Sequence, residues 1–396
     1  MMRSGMGRWM KKERDILRGI RLFCILAAGA FLLPACEKTV VNDKDRVVVQ
    51  PESAERLSDF EYQQVAESES GYYFWERFTP SQFYPRLMFM DKESGRTVPL
   101  CSKPDCSHVG KECNAYFPEM EWGENGFSKD YLQYYEGSLY SVGLTEDSYA
   151  AIFCIKADGS EWEISTKLYR TDYGSSGHWR TPEILINGGY VYFIDNKQDH
   201  MKLERIPLGG GLAETVFEVE SDAVYVQVYR MEANAGDLFF QVFIIMNDGN
   251  SLTNGDLYRY HMASRQCSLI KEGIFSPYSV QDGFVYYGSS EGLCRYSIKD
   301  DVIQVLNDRS LDVPNITLTK DYIVLCRQMS DNILTLYDYE GNELATVPNM
   351  LGLHWYFGGN ADKLFGECTD EVGLKLCYLD LTRPLDELQW EELKAE

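Results

Sequence analysis

Three cysteines and one histidine lie within thirteen residues of the chain, at Cys101, Cys106, His108 and Cys113. The spacing Cys-x4-Cys-x-His-x4-Cys offers thiolate and imidazole donors of the kind that Zn²⁺ selects in tetrahedral sites. The same residues could instead form a local disulfide with one leftover thiol, or an open metal centre with a function of its own. The single residue between Cys106 and His108 makes it sterically demanding for both to bind one ion. In all three interpretations, the cluster cross-links a long loop.

Other stretches offer oxygen donors and aromatic rings. Residues 195–200 and 247–256 place carboxylates and amides in predicted turns, where they suit Ca²⁺ or sugar hydroxyls, although neither has the spacing of an EF-hand loop. Solvated turns are the simpler interpretation. The rings in residues 78–85 could stack on a sugar or a peptide, or pack against the fold. The candidate ligand-binding residues are Phe78, Phe83, Tyr84, Asp195, Asn196, Asp199, Asp248, Asn250, Asn254 and Asp256.

The sequence assigns no catalytic residue. Residues 288–292 match Gly-x-Ser-x-Gly, which in hydrolases joins a strand to a helix. Here the motif joins two predicted strands, so we interpret it as a turn. The five histidines form no His-Glu-x-x-His motif, and no phosphate-binding loop is found. Two acidic side chains meeting across a central axis could still cleave a polysaccharide.

A repeat organises the elements that must position these residues. From about residue 70 onward, short apolar and aromatic runs alternate with Gly, Asp and Asn turns, without helical periodicity. One strand recurs with a mean spacing of about 42 residues. Its copies begin at Leu168, Leu203, Leu257, Leu293, Leu334 and Leu376. The strand before it begins at Ser138, Tyr190, Asp237, Phe284, Tyr322 and Lys363.

This period is typical of propeller blades, whereas sandwiches lack such a repeat and β-helix coils are shorter. Residues 276–306 show all four strands of one blade, and an earlier unit at 71–100 brings the number of blades to seven. The strands are apolar on both faces, as expected for sheets packed between neighbours. We therefore predict an all-β chain with a seven-bladed β-propeller over residues 60–396. For its closure, the C-terminal strand "LQWEEL" pairs within its own blade, or a segment near residues 60–65 joins the last one.

The predicted propeller gives the cysteines a location. In a propeller, the connections between second and third strands and those between blades lie on one face of the ring, the usual ligand face, here called the rim. Cys101 follows the outermost strand of the first blade, so residues 101–130, here called the cysteine loop, belong to the rim. Residues 195–200 and 247–256 each follow a second strand and belong there too.

The N-terminus predicts secretion. Residues 1–35 carry seven basic side chains against two acidic ones, followed by an apolar run of twelve residues, 22–33. That run is too short to cross a bilayer, which takes about 20 residues of helix. Residues 33–36, Leu-Pro-Ala-Cys, resemble a bacterial lipobox, so we expect cleavage before Cys36 and lipidation of its thiol. An ordinary signal peptide with a chance cysteine is the alternative. Residues 36–59 are polar and are predicted to be a disordered tether.

The charge limits the possible partners. The full chain has a net charge of −23, and removal of residues 1–35 leaves 31 basic against 59 acidic groups, a net charge of −28. Nucleic acid and anionic headgroups would be repelled by such a surface. Membrane attachment through the Cys36 lipid, and a protein or glycan partner at the rim, remain compatible with it.

The remaining cysteines look structural. Of eleven cysteines, Cys24 leaves with the leader and Cys36 takes lipid, so nine remain and cannot all pair within the chain. Cys154, Cys294, Cys326 and Cys377 lie inside apolar runs and are predicted to be small buried hydrophobes. Many unpaired thiols in a secreted chain indicate a low-oxygen habitat.

The cysteine loop also resembles a known family marker. Its matching residues are Cys101, Lys103, Pro104, Cys106, His108, Cys113 and Ala115. This pattern is similar to the Cys-x-Lys-Pro-x-Cys-x-His…Cys-x-Ala signature of uncharacterised surface lipoproteins from anaerobic Gram-positive bacteria, whose architecture is related to TolB-like propellers. The resemblance implies a lipid-anchored extracellular propeller on the cell membrane, and it transfers no catalytic residue.

We therefore expect a non-catalytic propeller that binds a protein or glycan through its rim. The alternative is a propeller enzyme, a glycosidase or lyase, acting on cell-surface polysaccharide. Zinc is the favoured cofactor, and calcium is the second candidate.

Overall fold

A computed structural model describes residues 65–393, apart from 77–85, 110–111, 117–130, 146, 172–182, 198–199, 221–223, 247–254, 275–276, 310–314, 327–332, 349–352, 358–361 and 370–373. The predicted leader, Cys36 and tether lie outside the described residues. All described residues belong to one unit, Ser53–Glu396. Among the residues that the structure describes, no helix has both the length and the apolar character needed to cross a membrane.

The described strands form seven four-stranded antiparallel sheets, each with its strands in chain order. Blades 1 to 3 consist of β1 (Val65–Glu67), β2 (Gly71–Trp75), β3 (Leu87–Asp91) and β4 (Thr97–Pro99); β5 (Leu132–Tyr135), β6 (Ser138–Leu144), β7 (Tyr149–Lys156) and β8 (Trp162–Arg170); and β9 (Ile184–Asn187), β10 (Tyr190–Lys197), β11 (His200–Pro207) and β12 (Glu214–Glu220).

Blades 4 to 7 continue the series. They consist of β13 (Val224–Asn234), β14 (Asp237–Met246), β15 (Asp256–His261) and β16 (Gln266–Lys271); β17 (Tyr278–Gln281), β18 (Phe284–Ser289), β19 (Gly292–Ser297) and β20 (Val302–Asn307); β21 (Asn315–Leu318), β22 (Ile323–Cys326), β23 (Ile333–Tyr337) and β24 (Glu343–Pro348); and β25 (Leu353–Phe357), β26 (Lys363–Thr369), β27 (Leu374–Asp380) and β28 (Trp390–Glu392). One 3-10 turn, Leu385–Glu387, precedes β28. The predicted seven-bladed propeller is confirmed.

Tight hairpins start four of the blades. Their two central residues both have positive φ, as in the type I′ turns that match the twist of antiparallel strands. The second residue is glycine each time, because glycine adopts this conformation without steric cost. The turns are Glu136-Gly137, Gly188-Gly189, Ala235-Gly236 and Asp282-Gly283.

The hydrophobic core lies between the blades. Seven apolar clusters each join two successive blades, and the last joins blade 7 to blade 1, so the clusters form a closed ring. Phe193 and Phe365, for example, are 0% and 1% exposed. Because both faces of a blade are covered in this way, apolar residues occupy both odd and even positions of its strands.

Polar side chains bridge the innermost strands. Those strands are sheet edges, so their backbone groups need partners from outside the sheet. Gln133 on β5 donates from Nε2 to the Ile186 carbonyl (2.7 Å) and accepts from its amide (3.0 Å) on β9. Glu232 on β13 accepts the Val280 amide of β17 at 2.9 Å. These buried contacts tie neighbouring blades together near the axis.

Among the described strands, none is exchanged between blades at the ring closure. β1 pairs with β2 in blade 1, and β28 pairs with β27 in blade 7. The expectation that the C-terminal strand pairs within its own blade is therefore confirmed. Side chains from both blades, including Tyr72 and Phe365, pack across this junction.

One copy of the sequence repeat was misassigned. Leu168 lies in β8, the fourth strand of blade 2, whereas the third strand is β7. Register shifts interrupt the β7–β8 pairing at Ala150/Ala151 and at Ile152/Phe153, and they change which residues of β8 face inward. In blade 2, the Leu-Tyr-Arg sequence lies in the fourth strand, whereas the corresponding segments of blades 3 to 7 lie in the third.

Candidate metal centre

The cysteine loop leaves the end of β4 and returns to blade 1 before β5 begins. Tyr116 forms an isolated antiparallel bridge with Arg86, and the Leu87 amide donates to the Ala115 carbonyl at 2.9 Å. Arg86 ends the β2–β3 connection, so this part of the loop lies at the edge of blade 1 that carries that connection. On its other side, Asn114 Nδ2 donates to the Ser160 carbonyl in the β7–β8 turn of blade 2 (3.1 Å). The loop therefore spans the junction of two blades.

The four predicted donors converge. One ligand atom from each of Cys101, Cys106, His108 and Cys113 lies within 4.8 Å of all the others. Nδ1 of His108 is 3.4 Å from Sγ of Cys113. A tetrahedral zinc site with bonds of about 2.3 Å to sulfur and 2.0 Å to nitrogen has edges of roughly 3.5 to 3.8 Å. The observed set fits one such ion with side-chain adjustments of about 1 Å or less.

Two left-handed residues resolve the steric difficulty of the Cys-x-His spacing. Asp105 has a φ of 58° and His108 a φ of 55°. A positive φ is uncommon outside glycine and costs energy, and such residues gather at binding and active sites. In this conformation a ring nitrogen of His108 lies within 4.8 Å of the three cysteine sulfurs, although only Ser107 separates it from Cys106.

Backbone amides donate hydrogen bonds to all three cysteine sulfurs. Each sulfur accepts the N–H of the residue two positions later in the chain. His108 donates to Cys106 and Ala115 donates to Cys113, both at 3.4 Å, and Lys103 donates to Cys101. Because hydrogen bonds to a charged acceptor are stronger than those to a neutral one, this arrangement favours thiolates.

Burial differs among the donors. Cys113 is 2% exposed and packs with Ala115 and Tyr116, while the other three donors are half-buried. Burial raises the pKa of the Cys113 thiol to about 12. Burial also opposes ionisation of Cys101, but amide donors from Lys103 and Asn114 outweigh it and lower the pKa of that thiol. None of the eight cysteines whose side chains are described forms a disulfide, so Cys101, Cys106 and Cys113 are not bridged to one another.

Two cationic side chains border the cluster. Arg86 binds both carboxylate oxygens of Glu76 and donates from Nη1 to the His108 carbonyl at 3.4 Å. Its guanidinium lies 5.9 Å from the centre of the Tyr116 ring. Lys103 Nζ donates to the Glu112 carbonyl across the loop. Sequence reasoning missed Arg86 and Glu76, because they precede the loop and their pairing with it is made by the fold.

The structure describes three of the other candidate ligand residues. Asp195 lies within β10 and is 8% exposed, so it is a buried strand residue where the sequence predicted a loop. Asn196 is also in β10, opposite Met201. Asp256 opens β15 and accepts the Gly273 amide at 3.1 Å; burial raises its pKa. The candidates outside the described residues are Phe78, Phe83, Tyr84, Asp199, Asp248, Asn250 and Asn254.

The Gly-x-Ser-x-Gly motif is a strand-turn-strand element. Ser289 ends β18, Gly292 begins β19, and the hydroxyl of Ser289 donates to the Gly292 carbonyl at 3.3 Å. Gly292 has a φ of 122°, and a Cβ there would lie 1.9 Å from the Asn307 carbonyl oxygen. The second glycine is therefore required by close backbone packing, as expected for a turn without a hydrolase helix.

Comparison with solved structures finds similar folds at low sequence identity. A prolyl endopeptidase aligns with a TM-score of 0.55 and 12% identity over 85% of this chain and 49% of its own. A puromycin hydrolase aligns with a TM-score of 0.52 and 11% identity over 85% and 53%. BamB from Moraxella catarrhalis aligns with a TM-score of 0.41 and 10% identity over 79% and 83%.

The chain spans about half the length of the first two structures. At such identities the likeness shows the fold and leaves the activity open. No protein-family model matches the chain, and no curated protein is significantly similar to it. The comparisons therefore support a β-propeller as the identity of the fold.

Proposed function

We propose that this chain is an extracellular propeller, lipid-anchored through Cys36, that binds one zinc ion at Cys101, Cys106, His108 and Cys113. The ion fixes the conformation of the cysteine loop against blade 1. The rim is a non-catalytic binding surface for a protein or glycan. The surface-lipoprotein family suggested by the loop motif has the same layout. The leader, the lipobox and the net charge of −28 on the mature chain support an anchored protein that does not bind nucleic acid.

One observation carries the proposal. Three sulfurs and one imidazole nitrogen point at a common centre, and each sulfur already accepts a backbone N–H. A chance group of surface residues has no reason to share both features.

The donor set favours a structural role. Four protein ligands fill a tetrahedral zinc shell and leave no position for water or substrate, unlike catalytic sites with three protein ligands. Softer sulfur donors select zinc over calcium, which takes six to eight oxygen ligands. The consequence of binding is order in the loop, because zinc joins Cys101 to Cys113 across twelve positions of the chain.

Metal analysis of the purified protein tests the site. We expect about one zinc per chain, lost in Cys106→Ser and retained in Cys267→Ser, whose half-buried thiol lies on β16 outside the cluster. Blocked thiols without metal would instead indicate a disulfide and would overturn the metal site.

A second experiment tests the binding role. The protein without its leader is screened against cell-wall glycans and surface proteins, and captured partners are measured again with Cys106→Ser. We expect a partner whose binding depends on the intact cysteine loop. Turnover of a wall glycan that disappears when one axial carboxylate is replaced would overturn the non-catalytic role.

A further inference from the structure

Arg86 occupies an unusual position between the cysteine loop and the β2–β3 connection. Its Nε and Nη2 bind the two oxygens of Glu76, and its Nη1 faces the His108 carbonyl at 3.4 Å. The Glu76 amide donates to the Arg86 carbonyl at 2.8 Å, so the two residues also close the backbone of the connection between them. The side chains of Arg86 and Glu76 are only 17% and 20% exposed. The planar guanidinium thus contacts a predicted metal-binding residue on one side and a carboxylate on the other.

The net charge of a zinc-bound cluster would be offset by the guanidinium of Arg86. Three thiolates and a neutral imidazole around Zn²⁺ carry a net charge of −1. Before the metal binds, Arg86 and Glu76 neutralise each other. After it binds, the guanidinium, which hydrogen-bonds to the His108 carbonyl, is a positive charge beside a partly buried centre, where charges interact more strongly than in water. A Lys side chain would keep the charge but not the fork that reaches both partners.

The hydrogen bond from Arg86 also stabilises the backbone conformation of His108. With a φ of 55°, His108 is held in a conformation that few non-glycine residues adopt. Its carbonyl accepts from Arg86, and its amide donates to Cys106 Sγ. The guanidinium therefore fixes the peptide group that orients the imidazole, in the way that outer hydrogen-bond partners orient metal ligands.

We propose that Arg86 is a positioning residue for the zinc centre, supplying the charge that offsets it and the hydrogen bond that holds His108, and joining it to the β2–β3 connection through Glu76. This deepens the proposed function, since it rests on zinc binding at the four donors. Outer-shell partners of this kind change metal affinity by about 10- to 100-fold when replaced.

Substitutions at both residues of the ion pair separate this role from simple scaffolding. Zinc affinity is measured on the full mature chain by competition with a chromophoric chelator, for Arg86→Gln, Arg86→Lys and Glu76→Gln. We expect Arg86→Gln to weaken zinc binding about 10- to 100-fold and Arg86→Lys to recover part of the loss. Glu76→Gln should leave the affinity unchanged or raise it, because it removes a negative charge that competes for the guanidinium.

Arg309→Gln is the matched control. Arg309 pairs with Glu343 at another blade junction, far along the chain from the cysteine loop. We expect this variant to bind zinc like the unmodified protein, and circular dichroism to show that all four variants are folded. Equal losses in Arg86→Gln and Glu76→Gln, or no loss in Arg86→Gln, would overturn the role of Arg86 and leave zinc binding intact. Absence of zinc from the unmodified protein would overturn both proposals.

Discussion

The rings of Tyr72 and Phe365 meet edge to face, with centroids 5.1 Å apart, and join the first blade to the seventh. Both residues are 1% exposed. The strands at this junction pair only within their own blades, so side-chain packing brings the two ends of the ring together.

Replacing Phe365 by Ala should therefore weaken the closure. Removal of a buried phenyl ring costs about 3 to 5 kcal/mol of the free energy of unfolding. We expect amide hydrogen exchange, followed by mass spectrometry, to accelerate first in β2 and β26, because these strands carry Tyr72 and Phe365.

Phe193→Ala is the control for that experiment. Phe193 is 0% exposed at the junction of blades 2 and 3 and stacks on Tyr169. A comparable loss of stability is expected, with faster exchange in blades 2 and 3. If Phe365→Ala accelerated exchange evenly around the ring, closure by local packing would be wrong.

Two glycine substitutions test the turn at Gly292. An Ala Cβ at Gly292 would lie 1.9 Å from the Asn307 oxygen, whereas one at Gly137 would meet nothing within 4 Å. Both glycines have a positive φ, which costs about 1 to 2 kcal/mol for an L-residue. Thermal or urea unfolding should show a loss of that size for Gly137→Ala and a clearly larger one for Gly292→Ala. Equal losses would contradict the close approach of the Asn307 carbonyl.

The ion pair between Lys363 and Asp380 predicts a pH dependence of stability. Nζ of Lys363 lies 2.7 Å from Oδ2 of Asp380. Burial opposes ionisation of this carboxyl, but hydrogen bonds from Lys363 and Thr382 outweigh it and lower the pKa of Asp380. A lowered pKa in the folded state stabilises the protein above the unfolded value of about 3.9, and this stabilisation is lost as the pH falls through the folded pKa.

We therefore expect Asp380→Asn to cost about 1 to 2 kcal/mol of the free energy of unfolding at pH 7. The difference from the unmodified protein should be smaller at pH 2 than at pH 7, because the stabilisation is lost as the pH falls through the lowered folded pKa of Asp380. Asp321→Asn, in an exposed turn, is the control and should show little effect at either pH. A cost for Asp380→Asn that stayed constant down to pH 2 would contradict the ion pair.

Thiol titration separates the structural cysteines from the cluster. Cys294, Cys326 and Cys377 are 1%, 4% and 0% exposed, so they should react with an aromatic disulfide reagent only after unfolding. The low exposure of these three side chains confirms their prediction as buried hydrophobes, whereas Cys154 is only half-buried. In the zinc-bound protein, a chelator should release about three further thiols, because zinc uses the thiolates of three cysteines. Release of no thiols, or of only one, would favour a disulfide.

The fold could be predicted from the sequence because each blade repeats local signals. The second-strand segments at Tyr190, Asp237 and Phe284 coincide with observed second strands, each preceded by a tight turn ending in glycine. Blade 2 was predicted less well, because its Leu-Tyr-Arg sequence at Leu168 lies in the fourth strand, β8, and its third strand, β7, has a different sequence. The loop predicted at 195–200 failed because β10 and β11 extend almost to the tip of their hairpin.

The four candidate ligands could be predicted because they are close in sequence. Their chemistry is visible in residue types and spacing alone. The left-handed conformation of His108 could not be predicted, since a positive φ is uncommon for every residue other than glycine, even though histidine adopts it more often than most. Arg86 and Glu76 were also hidden, because Arg86 reaches the loop only through its bridge with Tyr116 and its contact with His108, and Glu76 reaches it only through Arg86. Tertiary pairing, which leaves no periodic signal, created that part of the site.

The direction of β1 has a consequence for an anchored protein. Strands alternate in direction within blade 1, so β1 begins at the same edge as the β2–β3 connection and the end of β4, from which the cysteine loop departs. Residues 37–64 can span at most about 100 Å. In the proposed anchored form, the tether therefore joins the propeller at the edge of blade 1 from which the cysteine loop departs.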